Sequence, residues 1–160
     1  MIRRFAPVAC IRGRAVLLCF ALVVALGGAA CSAGGPQASP PIVVNGAWVQ
    51  VSGGPELPAA GYFEIDNRGS TDDSLVSASS PGSASVELHQ TMPDMSGMIG
   101  MTAVAQVTCP AGGSVTFAPG GYHLMIMGLS RQLATGDTLE LDLVFAHAGT
   151  IVVQAAVRQV

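Results

Sequence analysis

Methionine and histidine are the side chains of this sequence whose type and spacing could do chemistry. Six of its seven Met fall between positions 92 and 127, and two of its three His, His89 and His123, lie in or beside the same stretch. Thioether sulfur and imidazole nitrogen form a soft, uncharged ligand set, which favours Cu(I) over zinc, calcium or magnesium. Neither group needs a deprotonated thiol, so both remain usable in an oxidising compartment. The pattern therefore predicts a Cu(I) site.

Two segments of different local character must position these side chains. In residues 122–128 (YHLMIMG), the alternation of a strand places His123, Met125 and Met127 on one face, opposite Leu124 and Ile126. Residues 89–101 contain a proline and two glycines before their last Met, so they are predicted to form a loop or irregular hairpin rather than a helix. This segment carries Met at every third position. Imidazole and thioether groups are thus expected to converge on one surface.

Residues 42–160 are predicted to form one all-β domain. Short runs rich in Val, Ile, Leu, Phe and Thr are separated by Gly, Pro, Ser and Asp clusters, and no long helical periodicity is present. In residues 139–143 (LELDL), apolar side chains alternate with carboxylates, which is typical of an antiparallel strand with one solvated face. The spacing favours a Greek-key β-sandwich of about seven to nine strands, in which Trp48 and Tyr62 are core or interface aromatics.

The amino terminus has the three parts of a bacterial export signal. Four Arg precede an unbroken apolar run, Ala15–Leu26, which is followed by small residues and Cys31. The run is shorter than the roughly 20 residues of a membrane-spanning helix. Residues 1–30 are therefore predicted to be a lipoprotein signal peptide, and residues 31–41 a lipidated Cys31 and a flexible tether to the outer face of the cell membrane. Ordinary cleavage without lipidation is the alternative.

Charge and motif content exclude several classes of protein. From residue 31 onward three Arg oppose ten Asp and Glu, a net charge of −7. This excludes the basic patch that binds nucleic acid or anionic lipid, so the membrane is expected to be contacted only through the lipid anchor. No G-x-S-x-G, H-E-x-x-H or paired-carboxylate motif is present, and no enzyme is predicted.

The remaining polar groups are given structural interpretations. Cys109 is expected to be a buried small hydrophobe, with a reactive or metal-binding thiol as the alternative. His147 is expected in a turn at a strand end. Solvated strand or turn faces are expected to hold five carboxylates: Asp66, Asp72, Asp73, Glu140 and Asp142.

The spacing of four residues resembles the signature of a known family. Met101 follows His89 by twelve positions, His123 follows Met101 by twenty-two, and His123-x-Met125 completes the pattern. With the flank PGGYHLMIMGL at residues 119–129, this is similar to the PCu(A)C family of periplasmic copper chaperones. The resemblance extends over residues 47–157. It implies a cupredoxin-like β-sandwich that binds Cu(I) through His89, Met101, His123 and Met125.

The same resemblance implies a role and partners. Members of the family supply copper for the binuclear site of cytochrome c oxidase, so the expected acceptor is the apo copper subunit of that oxidase or a Sco-type assembly protein. The expected mechanism is ligand exchange by a monomer. A copper-scavenging or storage lipoprotein and a metal-free scaffold sandwich are the alternatives.

Met92, Met95 and Met98 have two interpretations. They form either an exposed loop with a second, weaker copper site, where Cu(II) is also a candidate, or a partly buried apolar flap that shields the first site. Gln90 stands where some family members carry Met. Met127 is expected to pack against the core or behind the ligands.

Overall fold

The computed structural model describes residues 41–93 and 98–159. These residues form ten strands: β1 (Ile42–Val51), β2 (Ala59–Asn67), β3 (Asp73–Ser79), β4 (Ser83–Pro93), β5 (Ile99–Ala103), β6 (Val107–Cys109), β7 (Ser114–Phe117), β8 (Tyr122–Leu129), β9 (Thr138–Phe145) and β10 (Gly149–Gln159). The predicted signal peptide, Cys31 and the tether up to residue 40 lie outside the described residues, as does Met95. Within the described ranges, no helix has the length and apolar character needed to cross a membrane.

The strands join in one hydrogen-bonded sheet with the order β5-β4-β8-β7-β2-β1-β10-β9-β3-β6. Most neighbours are antiparallel, whereas β1 pairs with β10 in parallel. A bulge in β1 between Asn45 and Trp48 interrupts its pairing with β2, and from Trp48 onward β1 pairs with both β2 and β10. The sheet folds over on itself, since its last strand, β6, contacts β2 and β7 in the other half of the strand order. The predicted all-β class is confirmed.

The strand count exceeds the predicted seven to nine because one apolar run is divided. The sequence favours a single strand over residues 99–107, but the structure separates it into β5 and β6. The backbone amide of Val104 still donates to the carbonyl of Leu88, at 2.9 Å. The chain then leaves β4, and Val107 pairs with Leu75 of β3. No Gly or Pro marks this crossing, so strand periodicity does not reveal it.

The core lies on one face of the strands and confirms the alternation predicted for residues 122–128. Leu124 and Ile126 are fully buried, and each contributes about 1.5–3 kcal/mol by leaving water. The rings of Phe63 and Phe117 stack in the same core, with centroids 4.4 Å apart. Cys109 is fully buried as well, and burial raises the pKa of its thiol. The thiol therefore stays protonated and unreactive, as predicted.

Asp73 corrects the expectation of a solvated carboxylate. It is buried, and its carboxylate accepts hydrogen bonds from the backbone amides of Ser74 at 2.7 Å, His147 at 3.0 Å and Ala148 at 2.9 Å. Burial alone would raise the pKa of Asp73, but these amides and the nearby His147 ring hold it below its ordinary value of 3.8. His147 lies in the β9–β10 turn, as predicted. Asp73 therefore ties β3 to that turn.

Acid should weaken the fold partly through Asp73. Because its pKa is depressed in the folded state, its stabilising effect is present above the unfolded pKa and is lost as the pH falls from about 4 through the folded value. We expect Asp73→Asn to lower the free energy of unfolding by about 1–3 kcal/mol at neutral pH. We also expect it to lose less stability than wild type on acidification, as measured by urea unfolding over a pH series. Asp142→Asn on β9 is the control, and an acid response of Asp73→Asn equal to that of wild type would contradict the assignment.

Candidate metal centre

Pairing between β4 and β8 sets the first half of the candidate site. His89 lies directly opposite His123, and Leu88 lies directly opposite Leu124. Opposed residues share a face of the sheet, and neighbouring residues alternate between faces. Since Leu88 and Leu124 are buried in the core, the two His occupy the other face. Met125, two positions after His123, joins them there.

The end strand β5 adds the second thioether. Met101 lies opposite Thr91 of β4, and Thr91 is two positions after His89, so all share one face. Within the described residues, β5 pairs only with β4, and its five residues are all exposed. Met101 itself is 63% exposed. The four predicted ligands thus lie on one face of three neighbouring strands.

The ring of His123 is buried and held by one nitrogen. It is only 5% exposed, and its Nδ1 lies 3.1 Å from the carbonyl oxygen of Gly121. Because a carbonyl can only accept, Nδ1 carries the proton and Nε2 carries the lone pair. In the described part of the chain, that buried Nε2 has no hydrogen-bond partner.

The ring of His89 is held through Nε2, whereas that of His123 is held through Nδ1. Its Nε2 lies 3.0 Å from Oε2 of Glu87, so the Nε2 proton is donated to the carboxylate and the lone pair is on Nδ1. Among the described residues, this buried Nδ1 also has no hydrogen-bond partner. The centroids of the His89 and His123 rings are 5.8 Å apart, with the planes inclined by 50°.

This arrangement fits a soft metal ion. Two neighbouring imidazoles each use one nitrogen to fix the ring and leave the other as a buried acceptor without a partner. Histidines that bind metals have this form, because the second nitrogen is anchored by a carboxylate or carbonyl. No group of three or more His, Cys, Asp or Glu in the described ranges could hold a metal ion. A four-ligand site here therefore depends on thioether sulfur, which favours Cu(I).

A cavity of about 200 Å³ adjoins three of the predicted ligands, Met101, His123 and Met125. Tyr62 and the turn at Pro119 contribute to its wall. Burial raises the pKa of Tyr62, so its phenol stays neutral and places no charge in the cavity. Of the two thioethers that line it, Met125 is half-buried and Met101 is exposed.

Of the remaining methionines on the described strands, Met127 shares the ligand face, because it lies two positions after Met125 on β8, where it is half-buried. Met92 lies on β4 next to Thr91, so alternation turns it to the opposite face, where it is 50% exposed. Met98 lies immediately before β5, the strand that carries Met101, and is 69% exposed. The predicted hairpin is present, since β4 and β5 pair through Pro93 and Ile99.

Other aromatic and supporting residues complete the surroundings. Trp48 is half-buried and packs against Tyr62 with ring centroids 4.5 Å apart, and Tyr62 is buried, in agreement with the core position that was one of the two predicted for it. Glu87 and Gly121 were not predicted as site residues. The signal for Glu87 was its position two residues before His89 on a strand, whereas nothing in the sequence marks a backbone carbonyl as a partner.

Comparison with known proteins gives relatives of the described domain. A family model described as "Putative lipoprotein LpqE-like" matches residues 42–157. "Putative lipoprotein Lxx21020" from Leifsonia xyli subsp. xyli (strain CTCB07) is 32% identical over 117 residues, which are 73% of this chain and 69% of that protein.

Solved structures share the architecture. The copper-bound PCuAC domain from PmoF2 has a TM-score of 0.64 and 26% identity, and the match covers 75% of this chain and 94% of that domain. The solution structure of CuI-DR1885 from Deinococcus radiodurans has a TM-score of 0.59 and 35% identity, with 78% of this chain and 83% of that chain covered.

The anchoring of His123 can be tested in the metal-free protein. We expect its proton to be on Nδ1, because the Gly121 carbonyl accepts from that atom, although free imidazole side chains favour the other tautomer. Long-range ¹H–¹⁵N spectra of histidine-labelled protein in mildly alkaline buffer distinguish the two forms. Free histidine in the same buffer is the reference, and a proton on Nε2 of His123 would contradict the proposed hydrogen bond.

Proposed function

Since the chain belongs to the LpqE-like lipoprotein family and has the fold of PCuAC domains, we propose that it is an extracytoplasmic copper chaperone that carries Cu(I). The family resemblance and the cupredoxin-like β-sandwich predicted from the sequence are thereby confirmed. The proposed ligands are His89, Met101, His123 and Met125.

One observation carries this proposal. His89 Nδ1 and His123 Nε2 are buried acceptors without a hydrogen-bond partner in the described residues, and they lie on the face that holds two thioethers. A buried polar atom without a partner costs about 1–3 kcal/mol. A soft cation bound by both nitrogens would compensate that cost, whereas packing alone would not.

The proposed chemistry is ligand exchange without a change in oxidation state. Imidazole and thioether are neutral, so the loaded site carries only the single positive charge of Cu(I). This keeps binding moderate enough for the ion to leave. Met101 is exposed on the end strand and His123 is buried, so an incoming thiolate or imidazole of an acceptor would displace Met101 first and His123 last.

The proposed setting follows from the amino-terminal segment and the family. Residues 1–30 would be removed as a signal peptide, Cys31 would be acylated, and residues 31–41 would tether the domain of residues 42–160 as a monomer at the outer face of the cell membrane. The proposed acceptor is the apo copper subunit of cytochrome c oxidase or a Sco-type assembly protein. The protein is proposed to act as a carrier rather than an enzyme.

Loss of a buried ligand should abolish tight copper binding. We expect His123→Ala to weaken Cu(I) binding by more than about 100-fold, which exceeds the cost of losing only a supporting hydrogen bond. The measurement is an anaerobic titration of residues 32–160 against a chromophoric Cu(I) chelator. His147→Ala in the exposed β9–β10 turn is the matched control. Wild-type affinity in a folded His123→Ala protein would overturn the ligand assignment.

Transfer distinguishes a chaperone from a scavenger. We expect Cu(I) to pass from the loaded protein to an apo copper subunit of cytochrome c oxidase within minutes. The measurement is the copper content of each protein after the two are separated by size exclusion. Met101→Leu should weaken binding and speed transfer, because one exposed ligand no longer has to be displaced. Met92→Leu on the opposite face of β4 is the control. Retention of copper in the presence of both proposed acceptors would favour storage.

A further inference from the structure

Glu87 is a charged residue of the ligand face that the four-residue signature does not include. It lies two positions before His89 on β4 and directly opposite Met125 of β8. Its Oε2 accepts the Nε2 proton of His89 at 3.0 Å, and the side chains of His89 and Glu87 are 12% and 51% exposed. The carboxylate therefore reaches a mostly buried ring from the solvent side.

On the basis of the proposed function, we propose that Glu87 is a positioning residue that presents His89 to Cu(I) through Nδ1. The Nε2 of His89 is occupied by the carboxylate, which leaves the buried Nδ1 as the atom with a lone pair and no partner in the described chain. The two imidazoles of the site then bind through different atoms, His89 through Nδ1 and His123 through Nε2.

The two His have different hydrogen-bond partners, which explains why they present different nitrogens to the proposed site. His123 is fixed from the backbone by Gly121, which occupies its Nδ1, whereas His89 is fixed from a side chain on its own strand. Turning the His89 ring by half a rotation would exchange Nδ1 with a carbon and break its bond to Glu87. The 50° inclination of the two rings is the orientation in which both anchors are kept.

The carboxylate has a second effect on the same ring. A hydrogen bond from imidazole to carboxylate raises the basicity of the opposite nitrogen, and the negative charge stabilises a bound cation. An amide at position 87 would keep the hydrogen-bond acceptor but remove the charge. Glu87→Gln and Glu87→Ala therefore separate orientation from charge.

The binding atom can be read directly, because Cu(I) is diamagnetic. In the copper-loaded, ¹⁵N-histidine-labelled protein, we expect His89 to keep its proton on Nε2 and His123 to keep its proton on Nδ1. Long-range ¹H–¹⁵N spectra report both positions. A proton on Nδ1 of His89 in the loaded protein would overturn the proposal, since the ring would then bind copper through Nε2.

The variants test the role of Glu87 without relying on copper alone. In the metal-free protein, the hydrogen-bonded Nε2 proton of His89 should be observed in wild type and Glu87→Gln, and lost to exchange in Glu87→Ala. Glu87→Ala should weaken Cu(I) binding about 10–100-fold, and Glu87→Gln by less. Glu64→Ala on β2 is the matched strand control, and the unfolding midpoints of all three should equal that of wild type.

The outcomes separate this proposal from the proposed function. If the wild-type protein binds Cu(I) and Glu87→Ala binds it equally well, Glu87 has no positioning role and the chaperone proposal stands. If the wild-type protein does not bind Cu(I), both proposals are overturned.

Discussion

The register between β4 and β8 is the constraint on which the site depends. With His89 opposite His123, Leu88 is opposite Leu124, and one face of the pair faces the core while the other faces the candidate ligands. A slip of one residue would exchange the faces of one strand, so an imidazole would enter the core and a leucine would leave it. The burial of apolar side chains therefore places the two His opposite each other on one face, where Gly121 and Glu87 fix the orientation of their rings.

The candidate site combines a buried, anchored side chain with an exposed one at the edge of the sheet. His123 is buried and anchored by a backbone carbonyl, and it sits on a strand with neighbours on both sides. Met101 belongs to an end strand whose residues are all exposed. Exposed and buried side chains differ in how readily they are displaced from a metal ion, so the proposed mechanism assigns retention of Cu(I) to His123 and its release to Met101. Glu87 lies on β4, the strand between those of Met101 and His123, and its side chain is 51% exposed.

Patterns with a short period were readable from the sequence, and contacts between distant segments were not. Alternation in residues 122–128 predicted which side of β8 carries His123 and Met125, and Pro and Gly predicted the hairpin before Met101. The crossing between β5 and β6 lacks any such residue, so the extra strand was missed. Asp73 appeared solvated because its partners at residues 147 and 148 are brought to it only by the fold. The nitrogen that each His presents depends on a partner only two residues away, Glu87 for His89 and Gly121 for His123, but the residue types alone do not reveal either hydrogen bond.

The parallel pairing of β1 with β10 joins the two ends of the domain. Trp48 pairs with Ala156, and the guanidinium of Arg158 lies 4.6 Å from the centre of the Trp48 ring. A sheet that closes through contacts so distant along the chain folds slowly, in about milliseconds to seconds, because a long loop must close first. The first strand has no parallel neighbour until the last one is synthesised. The sheet therefore cannot be completed before β10 has been synthesised, and until then one edge of β1 has no partner strand.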